Sequence, residues 1–220
     1  MPVDAGASKD GVVFQREQYA RGGPGRKYWD YRDERIISAI GEGRRILDVG
    51  CGEGILLEKL VRRFPDREIE GIDLDPINIR ICLEHGLKIK QGGAYGLPYG
   101  DESFDVCLFI EVVEHLAEPL RALAELHRVL KKGGRLLVLF PNDRTFKLAR
   151  IMMLMFKEAF YDTGHLRQWT PREMKEALEG NGFKVTGQSS IPVPFFPLCL
   201  HHLVVAEKTD GQAGFCFTRQ

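Results

Sequence analysis

The sequence lacks an excess of charge of either sign. Its 31 lysine and arginine residues balance 31 aspartate and glutamate residues, so the formal net charge is zero. A protein surface that neutralises many phosphates needs a basic excess. We therefore do not expect nucleic acid to be a partner of this chain.

Cysteine is scarce and is not arranged in close pairs. The five cysteines are odd in number and widely scattered, and no CxxC motif occurs among Cys51, Cys82, Cys107, Cys199 and Cys216. A disulfide framework needs an even set and a zinc knuckle needs close pairs, so neither is indicated. We expect reduced thiols and a cytoplasmic location.

Long hydrophobic runs are also missing. The polar start MPVDAGASKDG has no apolar segment of the kind found in signal peptides. The longest apolar stretches, residues 151–156 and 191–200, are too short or too rich in proline to cross a bilayer. We predict no membrane span.

The length of 220 residues suits one domain whose core needs neither disulfides nor metal. Residues 1–26 are polar and rich in glycine, and residues 209–220 have no clear pattern. We predict a flexible N-terminal arm over residues 1–26, a single domain over residues 27–208 and a loose tail over residues 209–220.

Short apolar runs alternate with helical patterns as far as residue 142. A first helical pattern covers residues 27–40. Strands that alternate with helices of 10–15 residues indicate βαβ units and a parallel sheet. The five predicted strands cover residues 44–50, 67–75, 87–91, 103–113 and 133–142.

The pattern changes after Pro141. Helical segments within residues 143–180 are expected to form a cap or lid, and two last strands follow at residues 182–190 and 200–208. The link between these strands is too short for a helical crossover, so we predict an antiparallel hairpin. The predicted fold is α/β, with a Rossmann-like seven-stranded mixed sheet of five parallel βα strands plus the C-terminal hairpin, and helices on both faces.

The strongest local signal is ILDVGCGEG at residues 46–54. A strand ending at Val49 leads through glycines into a helix, an arrangement that lets backbone N–H groups face a ligand. A nicotinamide or flavin fingerprint would carry its third glycine at position 55, where this chain has Ile55. The carboxylate of Asp48, just before the loop, suits a ligand with positive charge better than a pyrophosphate.

A second acidic signal ends the second strand, in EGIDLDP. Asp73 lies about 20 residues past Gly50, where a ribose with two free hydroxyls is held in such folds. Pro76 fits the first position of the next helix, which makes Asp75 the candidate N-cap. We expect Asp75 to cap the helix and Asp73 to bind a ribose.

Four motifs then follow one another in order: ILDVGCGEG, EGIDLDP, GLPYGDESFDVCLFIEVVEHL and LHRVLKKGGRLLVLFPN. Over about residues 44–142 they resemble the successive motifs of class I S-adenosylmethionine-dependent methyltransferases. The resemblance implies S-adenosylmethionine as the cofactor and methyl transfer as the reaction.

The resemblance also implies a set of cofactor-binding residues. The glycine loop and the end of the fourth strand would surround the methionine part and the methyl group, Asp73 would hold the ribose, and Leu74 would lie against the adenine. Many family members place an aspartate before the LP dipeptide, where this chain has Gly93, so backbone there would bind the adenine. The implied residues are Asp48, Gly50, Cys51, Gly52, Asp73, Leu74, Gly93, Ala94, Ile110 and Glu111.

The segment EVVEHL at residues 111–116 leaves two interpretations open. A helical turn would gather Glu111, Glu114 and His115 on one side. A similar motif holds a divalent metal in quinone-pathway O-methyltransferases and small-RNA 2′-O-methyltransferases, and His165 could add a ligand. Imidazole is unusual for Mg²⁺, so the alternative is a capping glutamate and a packed histidine. S-adenosylmethionine is the expected cofactor, and the metal is the alternative.

Apolar segments indicate the acceptor. LARIMMLMF at residues 148–156 is either a core helix or a lid, and IPVPFFPLC at residues 191–199 adds a second apolar element. With Tyr28 and Trp29 they suggest a pocket for a small aromatic or lipophilic molecule. We expect residues 27–31 and 152–156 to close over the bound ligands.

The predicted reaction is in-line methyl transfer to a small acceptor. If the acceptor is a hydroxyl, His115 or His165 is the candidate general base. His201 and His202 lie on the last strand, where alternation puts one inside and one outside, and no function is assigned to them. The alternatives are an RNA methyltransferase, a metal-assisted O-methyltransferase and a subunit that only binds the cofactor.

Overall fold

The protein is described by a computed structural model over residues 15–142, 144–145, 164–195 and 198–210. Its strands are β1 (Arg45–Val49), β2 (Glu68–Asp73), β3 (Ile89–Gln91), β4 (Phe104–Ile110), β5 (Leu130–Pro141), β6 (Phe183–Ile191) and β7 (His201–Lys208). Its helices are α1 (Gln15–Arg21), α2 (Gly23–Ala39), α3 (Ile55–Arg63), α4 (Pro76–Glu84), α5 (Pro119–Val129) and α6 (Pro171–Gly180).

The seven strands form one sheet in the order β3-β2-β1-β4-β5-β7-β6. The first five strands pair in parallel, and β7 runs antiparallel to both β5 and β6. The predicted mixed sheet with a C-terminal antiparallel hairpin is confirmed. Because β7 is reversed, its first residue, His201, lies beside Pro141 at the end of β5.

Helices cover both faces of the sheet, as predicted. Successive residues of a strand point to opposite faces, and in β5 the side chains of Leu136 and Val138 enter one core while those of Leu137 and Leu139 enter the other. Helices α5 and α6 complete the first core, and α2, α3 and α4 complete the second. Both faces are buried, which is why the strands read as nearly continuous apolar runs.

The prediction of a flexible arm over residues 1–26 is wrong for residues 15–21 and 23–26, which are helical. The Glu53 carboxylate caps α1, because its oxygens accept hydrogen bonds from the backbone N–H of Gln15 at 2.6 Å and of Arg16 at 2.8 Å. Gly22, at a φ of 77°, separates α1 from α2. A contact with the glycine loop therefore orders a segment whose own sequence suggests a linker.

The prediction of cap helices over residues 143–180 is wrong for α6. This helix packs against β6 and β7 and buries Met174 and Leu178 in the core. A capping box between Thr170 and Glu173 starts it. Residues 143 and 146–163, including the proposed lid at 152–156, lie outside the described residues.

The C-terminal end of β7 is followed by an anchored residue. The backbone N–H and the hydroxyl of Thr209 both donate to the carbonyl oxygen of Gly182, at 2.9 and 2.8 Å. Residue 209 is therefore attached to the domain, while residues 211–220 of the predicted tail lie outside the described part. None of the described helices is long and apolar enough to cross a membrane.

Candidate functional site

A cleft of about 330 Å³ lies at the carboxyl ends of β1 and β4. The chain passes from β1 to one side of the sheet and from β4 to the other, so the cleft sits at the switch point where open α/β sheets bind ligands. Among the residues that the resemblance assigns to the cofactor, this cleft is lined by Asp48, Gly50, Cys51, Gly52, Ile110 and Glu111.

The glycine loop turns sharply between β1 and α3. The backbone N–H of Gly50 donates to the carbonyl oxygen of Ile72 at 2.7 Å, and Gly50 has a φ of 75°. A Cβ at Gly50 would lie 2.6 Å from a methyl group of Val112. At Gly52, whose φ is 55°, a Cβ would meet only the side-chain oxygen of Gln15, at 3.8 Å. The loop therefore offers bare backbone to the cleft.

Asp73 ends β2 with its carboxylate fixed beside this loop. One carboxylate oxygen accepts from the backbone N–H of Gly52 at 2.8 Å, and the other accepts from Asp75 N at 2.9 Å and Asn78 Nδ2 at 3.1 Å. The Asp75 side chain instead accepts from Ile77 N at 2.8 Å and caps α4, as predicted. Ribose binding by Asp73 stays a prediction.

The residues assigned to the adenine lie beyond β2 and β3. Leu74 is 43% exposed, and a Cβ on Gly93 would lie 3.8 Å from the Cδ1 of Leu74. Ala94 is partly buried against the core that contains α5. Leu74 and Gly93 are therefore neighbours just beyond β2 and β3. Their contact with an adenine stays a prediction.

Asp48 is a buried carboxyl group at the floor of the cleft. Burial, followed by the negative charges of Asp73 and Asp33, raises its pKa to about 7, and Arg32 offsets this shift in part. A cationic ligand group would favour the ionised form of Asp48. The carboxyl is thus placed to respond to a positive charge in the cleft.

We expect the affinity for S-adenosylhomocysteine, whose amino group is cationic, to depend on pH through Asp48. Asp48 is protonated below its pKa of about 7, so affinity should rise as pH increases from 6 to 7 and level off above. The change should be at most about tenfold per pH unit. Calorimetric titration at several pH values measures it. Asp48→Asn should flatten the profile, and a flat profile in the unmodified chain would contradict the assignment.

Glu111, just after β4, places a second carboxylate in the cleft. Its φ of 55° is unusual for a residue other than glycine and is of the kind found at functional sites. Arg32 binds one carboxylate oxygen, and His201 Nε2 lies 2.7 Å from the other. Burial alone would raise the pKa of Glu111, but the charges of Arg32 and His201 hold it well below its usual range.

Tyr28 completes this network from α2. Its hydroxyl lies 2.6 Å from His201 Nδ1, and the two rings stack with centroids 5.7 Å apart. Because an ionised Glu111 carboxylate can only accept, the Nε2 of His201 donates to it, and Nδ1 is left to bind the Tyr28 hydroxyl. The network fixes the orientation of the Glu111 carboxylate from both α2 and β7.

Arg32 and His201 are site residues that sequence reasoning missed. The expectation that one of His201 and His202 points outward is wrong, because both are buried. His202 is instead bound by Ser190 and Gln188 on the neighbouring strand β6. The available signal was the reversed direction of β7, which puts its first residue at the carboxyl ends of the parallel strands.

A second cluster lines the cleft beyond Glu111. Ligand atoms of Glu114, His115 and His165 all lie within 4.8 Å of one another. The backbone N–H of Leu166 donates to the Glu114 carbonyl oxygen at 2.8 Å, which holds His165 beside the other two. The predicted grouping of Glu111 with Glu114 and His115 is wrong, because a 3₁₀ turn over Val113–His115 follows the left-handed Glu111, whose carboxylate turns to Arg32 and His201.

The donor set of this cluster selects among metals. His115 Nδ1 lies 3.2 Å from the carbonyl oxygen of Gly164, which can only accept, so Nδ1 carries the proton and the lone pair is on Nε2. Two imidazoles and one carboxylate suit Zn²⁺ or another transition metal better than Mg²⁺. The three residues therefore fit a transition metal.

A larger cavity of about 540 Å³ lies at the amino ends of the strands, away from the cleft. Several of its charged side chains are already paired, as in Arg45 with Glu68 at 3.1 Å and Lys131 with Asp105 at 2.6 Å. Ligands of open α/β sheets bind at the carboxyl ends of the strands, and this cavity lies at the amino ends. We therefore assign the function to the smaller cleft.

Sequence comparison gives the family. The family model described as a methyltransferase domain matches residues 25–188. A protein of Mycolicibacterium smegmatis described as a probable S-adenosylmethionine-dependent methyltransferase is 32% identical over 166 residues, which are 72% of this chain and 60% of that protein. The chain therefore spans less than two thirds of the length of this relative.

Two further comparisons agree. A ubiquinone biosynthesis O-methyltransferase of Maricaulis maris is 31% identical over 195 residues, covering 77% of this chain and 74% of the relative. The crystal structure of a methyltransferase from Archaeoglobus fulgidus has a TM-score of 0.66 and 21% identity, and covers 88% of this chain and 98% of that one. By sheet order, by motif order and by sequence, this chain belongs to the class I S-adenosylmethionine-dependent methyltransferases.

Proposed function

We propose that this chain transfers the methyl group of S-adenosylmethionine to a small aromatic or lipophilic acceptor by in-line displacement. The observation that carries the proposal is the cleft at the carboxyl ends of β1 and β4, which joins the glycine loop to a wall of ionisable side chains. The first part suits a nucleoside with a charged amino-acid tail, and the second suits a polar acceptor group.

The cofactor fits the residues on one side of this cleft. Bare backbone at Gly52 leaves room for a ligand, and Asp73 offers carboxylate oxygens at the strand tip. Asp48 supplies a buried carboxyl group for a cationic part. S-adenosylmethionine, when bound, supplies a methyl group already activated by its sulfonium. The protein's part is to bind, to orient and to exclude water.

The acceptor side of the cleft combines apolar and polar surfaces. Trp29 and Pro141 line it beside Glu111, His115 and His165. Such a lining suits a flat apolar molecule that carries a hydroxyl group. The name of the Maricaulis maris relative, an O-methyltransferase of ubiquinone biosynthesis, points in the same direction. The zero net charge counts against RNA as the acceptor.

Methyl transfer to a hydroxyl releases a proton that a base in the cleft can accept. His115 and His165 both line the cleft, and their rings meet edge to face with centroids 4.8 Å apart. We propose that this histidine pair supplies the general base.

Two experiments test the proposal. Calorimetry should give heat with S-adenosylmethionine and S-adenosylhomocysteine but none with a nicotinamide dinucleotide, and the opposite result would overturn the cofactor assignment. Methyl-labelled cofactor should then label compounds of a small-molecule cell extract and leave total RNA unlabelled, with boiled protein as the control. Label in RNA alone would replace the small-molecule acceptor with RNA.

The cluster of Glu114, His115 and His165 favours a second candidate, metal-assisted O-methylation. A metal bound there would lower the pKa of an acceptor hydroxyl, and Glu114, His115 and His165 would hold it. We expect Zn²⁺ or Mn²⁺ titrated into chelator-treated protein to bind with one site and Mg²⁺ to bind weakly. His165→Ala should abolish binding, while His85→Ala, at the exposed end of α4, should not. Equal binding by both variants, or none by the unmodified chain, removes this candidate.

A further inference from the structure

Cys51 and Cys82 bring two thiols together beneath the glycine loop. Cys51 lies in the loop and lines the cleft, whereas Cys82 lies in α4 and is fully buried. The Cys82 sulfur is 3.4 Å and the Cys51 sulfur 3.8 Å from one carbonyl oxygen, that of Gly52. The two sulfurs therefore lie on either side of one shared acceptor. The methyl-transfer reaction does not require this pair.

Both sulfurs are confined by nearby backbone. A Cβ on Gly54 would lie 2.7 Å from the Cys82 sulfur, and a Cβ on Gly71 would lie 2.7 Å from the Cys51 sulfur. Glycine at these two positions is what admits the sulfurs. The thiols therefore have little room to turn away from the Gly52 carbonyl that they share, and their proximity is a property of the folded chain.

We propose that Cys51 and Cys82 are a modification site at which hydrogen peroxide forms a disulfide that weakens cofactor binding. Cys51 faces the cleft, and once its thiol has lost its proton to solvent, the thiolate attacks a peroxide oxygen and the O–O bond breaks. The hydroxide that leaves takes up a proton and becomes water, and Cys51 becomes a sulfenic acid. The Cys82 sulfur then attacks the Cys51 sulfur and expels a second water. Two thiols lose two electrons and two protons, and one peroxide becomes two waters.

The bond would move the loop that the cofactor needs. Sulfurs in a disulfide are about 2 Å apart, closer than two unbonded sulfurs can approach, so the loop and α4 must shift toward each other. Cys51 is joined to Gly52, whose N–H binds Asp73, and Asn78 of α4 binds the same carboxylate. This step rests on the proposed cofactor site, whereas formation of the disulfide does not.

A ligand in the cleft should also protect the pair. Peroxide reaches Cys51 from the cleft, because Cys82 is buried behind it. Bound S-adenosylhomocysteine would cover that approach. Since oxidation weakens binding of the ligand, the ligand must in turn oppose oxidation.

The experiment uses the full reduced chain carrying Cys216→Ser, which removes the cysteine outside the described residues. After treatment with hydrogen peroxide, peptide mapping should find a linked peptide containing Cys51 and Cys82. Calorimetry should show that the affinity for S-adenosylhomocysteine has fallen about tenfold or more, and dithiothreitol should restore it. Prior addition of S-adenosylhomocysteine should slow formation of the linked peptide.

Cys82→Ala should keep its affinity after peroxide, and Cys107→Ala, in the centre of β4, should respond like the parent chain. Peptide mapping of the Cys216→Ser chain does not depend on Cys82→Ala or Cys107→Ala. It therefore still tests the proposal if either of these variants fails to fold. The proposal is overturned if no linked peptide forms, if the linked protein binds as tightly as the reduced one, or if Cys82→Ala loses affinity equally. Reduced protein that binds no S-adenosylhomocysteine overturns the proposed function and leaves the thiol result intact.

Discussion

Asp73→Ala is expected to weaken binding of S-adenosylhomocysteine by roughly 100- to 10,000-fold. A hydrogen bond to an ionised acceptor contributes about 1.5–3 kcal/mol, and a ribose offers two hydroxyls to this carboxylate. Asp73 is only 9% exposed and is held by Gly52, Asp75 and Asn78, so its oxygens are already oriented before a ligand arrives. Calorimetric titration of the variant measures the loss.

Two companion variants separate the ribose contact from the loop anchor. Asp73→Asn keeps an oxygen for the Gly52 N–H but loses the charge, so its affinity should fall between those of the parent and Asp73→Ala. Asp75→Asn keeps the N-cap of α4, because the side chain at this position accepts a hydrogen bond from the backbone N–H of Ile77. It should therefore bind S-adenosylhomocysteine as tightly as the parent. A folded Asp73→Ala with an unchanged dissociation constant would show that Asp73 is only structural.

The sheet could be predicted because its signals are local. The run FDVCLFI of β4 is apolar at nearly every position, which is typical of a central strand buried on both faces. The alternation of strands with helices then determines the parallel order, and the short link before β7 determines the hairpin. The predicted fourth strand ran to residue 113, but β4 ends at Ile110 because Glu111 is left-handed.

The prediction of the cofactor side had the same local basis. The glycine loop and Asp73 lie at the ends of adjacent strands, so spacing along the chain was enough to bring them together. The network around Glu111 is different, because its contacts join distant segments: His201 meets Glu111 across 90 residues, and Tyr28 meets His201 across 173. No periodicity within one element encodes such a pairing.

The N-terminal helices also show that local sequence patterns are not sufficient, because these patterns predict a linker where the structure has helices. The sequence of α1 is polar and is followed by two glycines, which indicates a linker when it is considered alone. Its order comes from Glu53, 37 and 38 residues away, and from the ion pair of Arg16 with Glu58 at 2.8 Å. A tertiary contact thus overrides the local preference.

Asp33→Ala is expected to lower the free energy of unfolding by about 3–5 kcal/mol. The Asp33 side chain is fully buried in α2, where Lys59 of α3 lies 2.8 Å from one oxygen and Arg32 lies 2.9 Å from the other. Removing the carboxylate takes away the buried partner that Arg32 and Lys59 share, and leaves Lys59 with Asp30 and Arg32 with Glu111. Urea denaturation measures the change, and Glu34→Ala, at the exposed next position of the same helix, should stay within about 0.5 kcal/mol of the parent.

The source of this loss can be tested by removing the opposing charge as well. In the double variant Asp33→Leu with Lys59→Met, Arg32 keeps Glu111 as its partner, and the partly exposed Asp30 keeps Arg26. A buried ion pair replaced by apolar side chains of similar volume is often neutral in stability. The double variant should therefore recover most of the loss of Asp33→Ala. If the double variant is less stable than Asp33→Ala, the attraction between Asp33 and Lys59 itself holds α2 against α3. The charges left without Asp33 are then not the cause of the loss in stability.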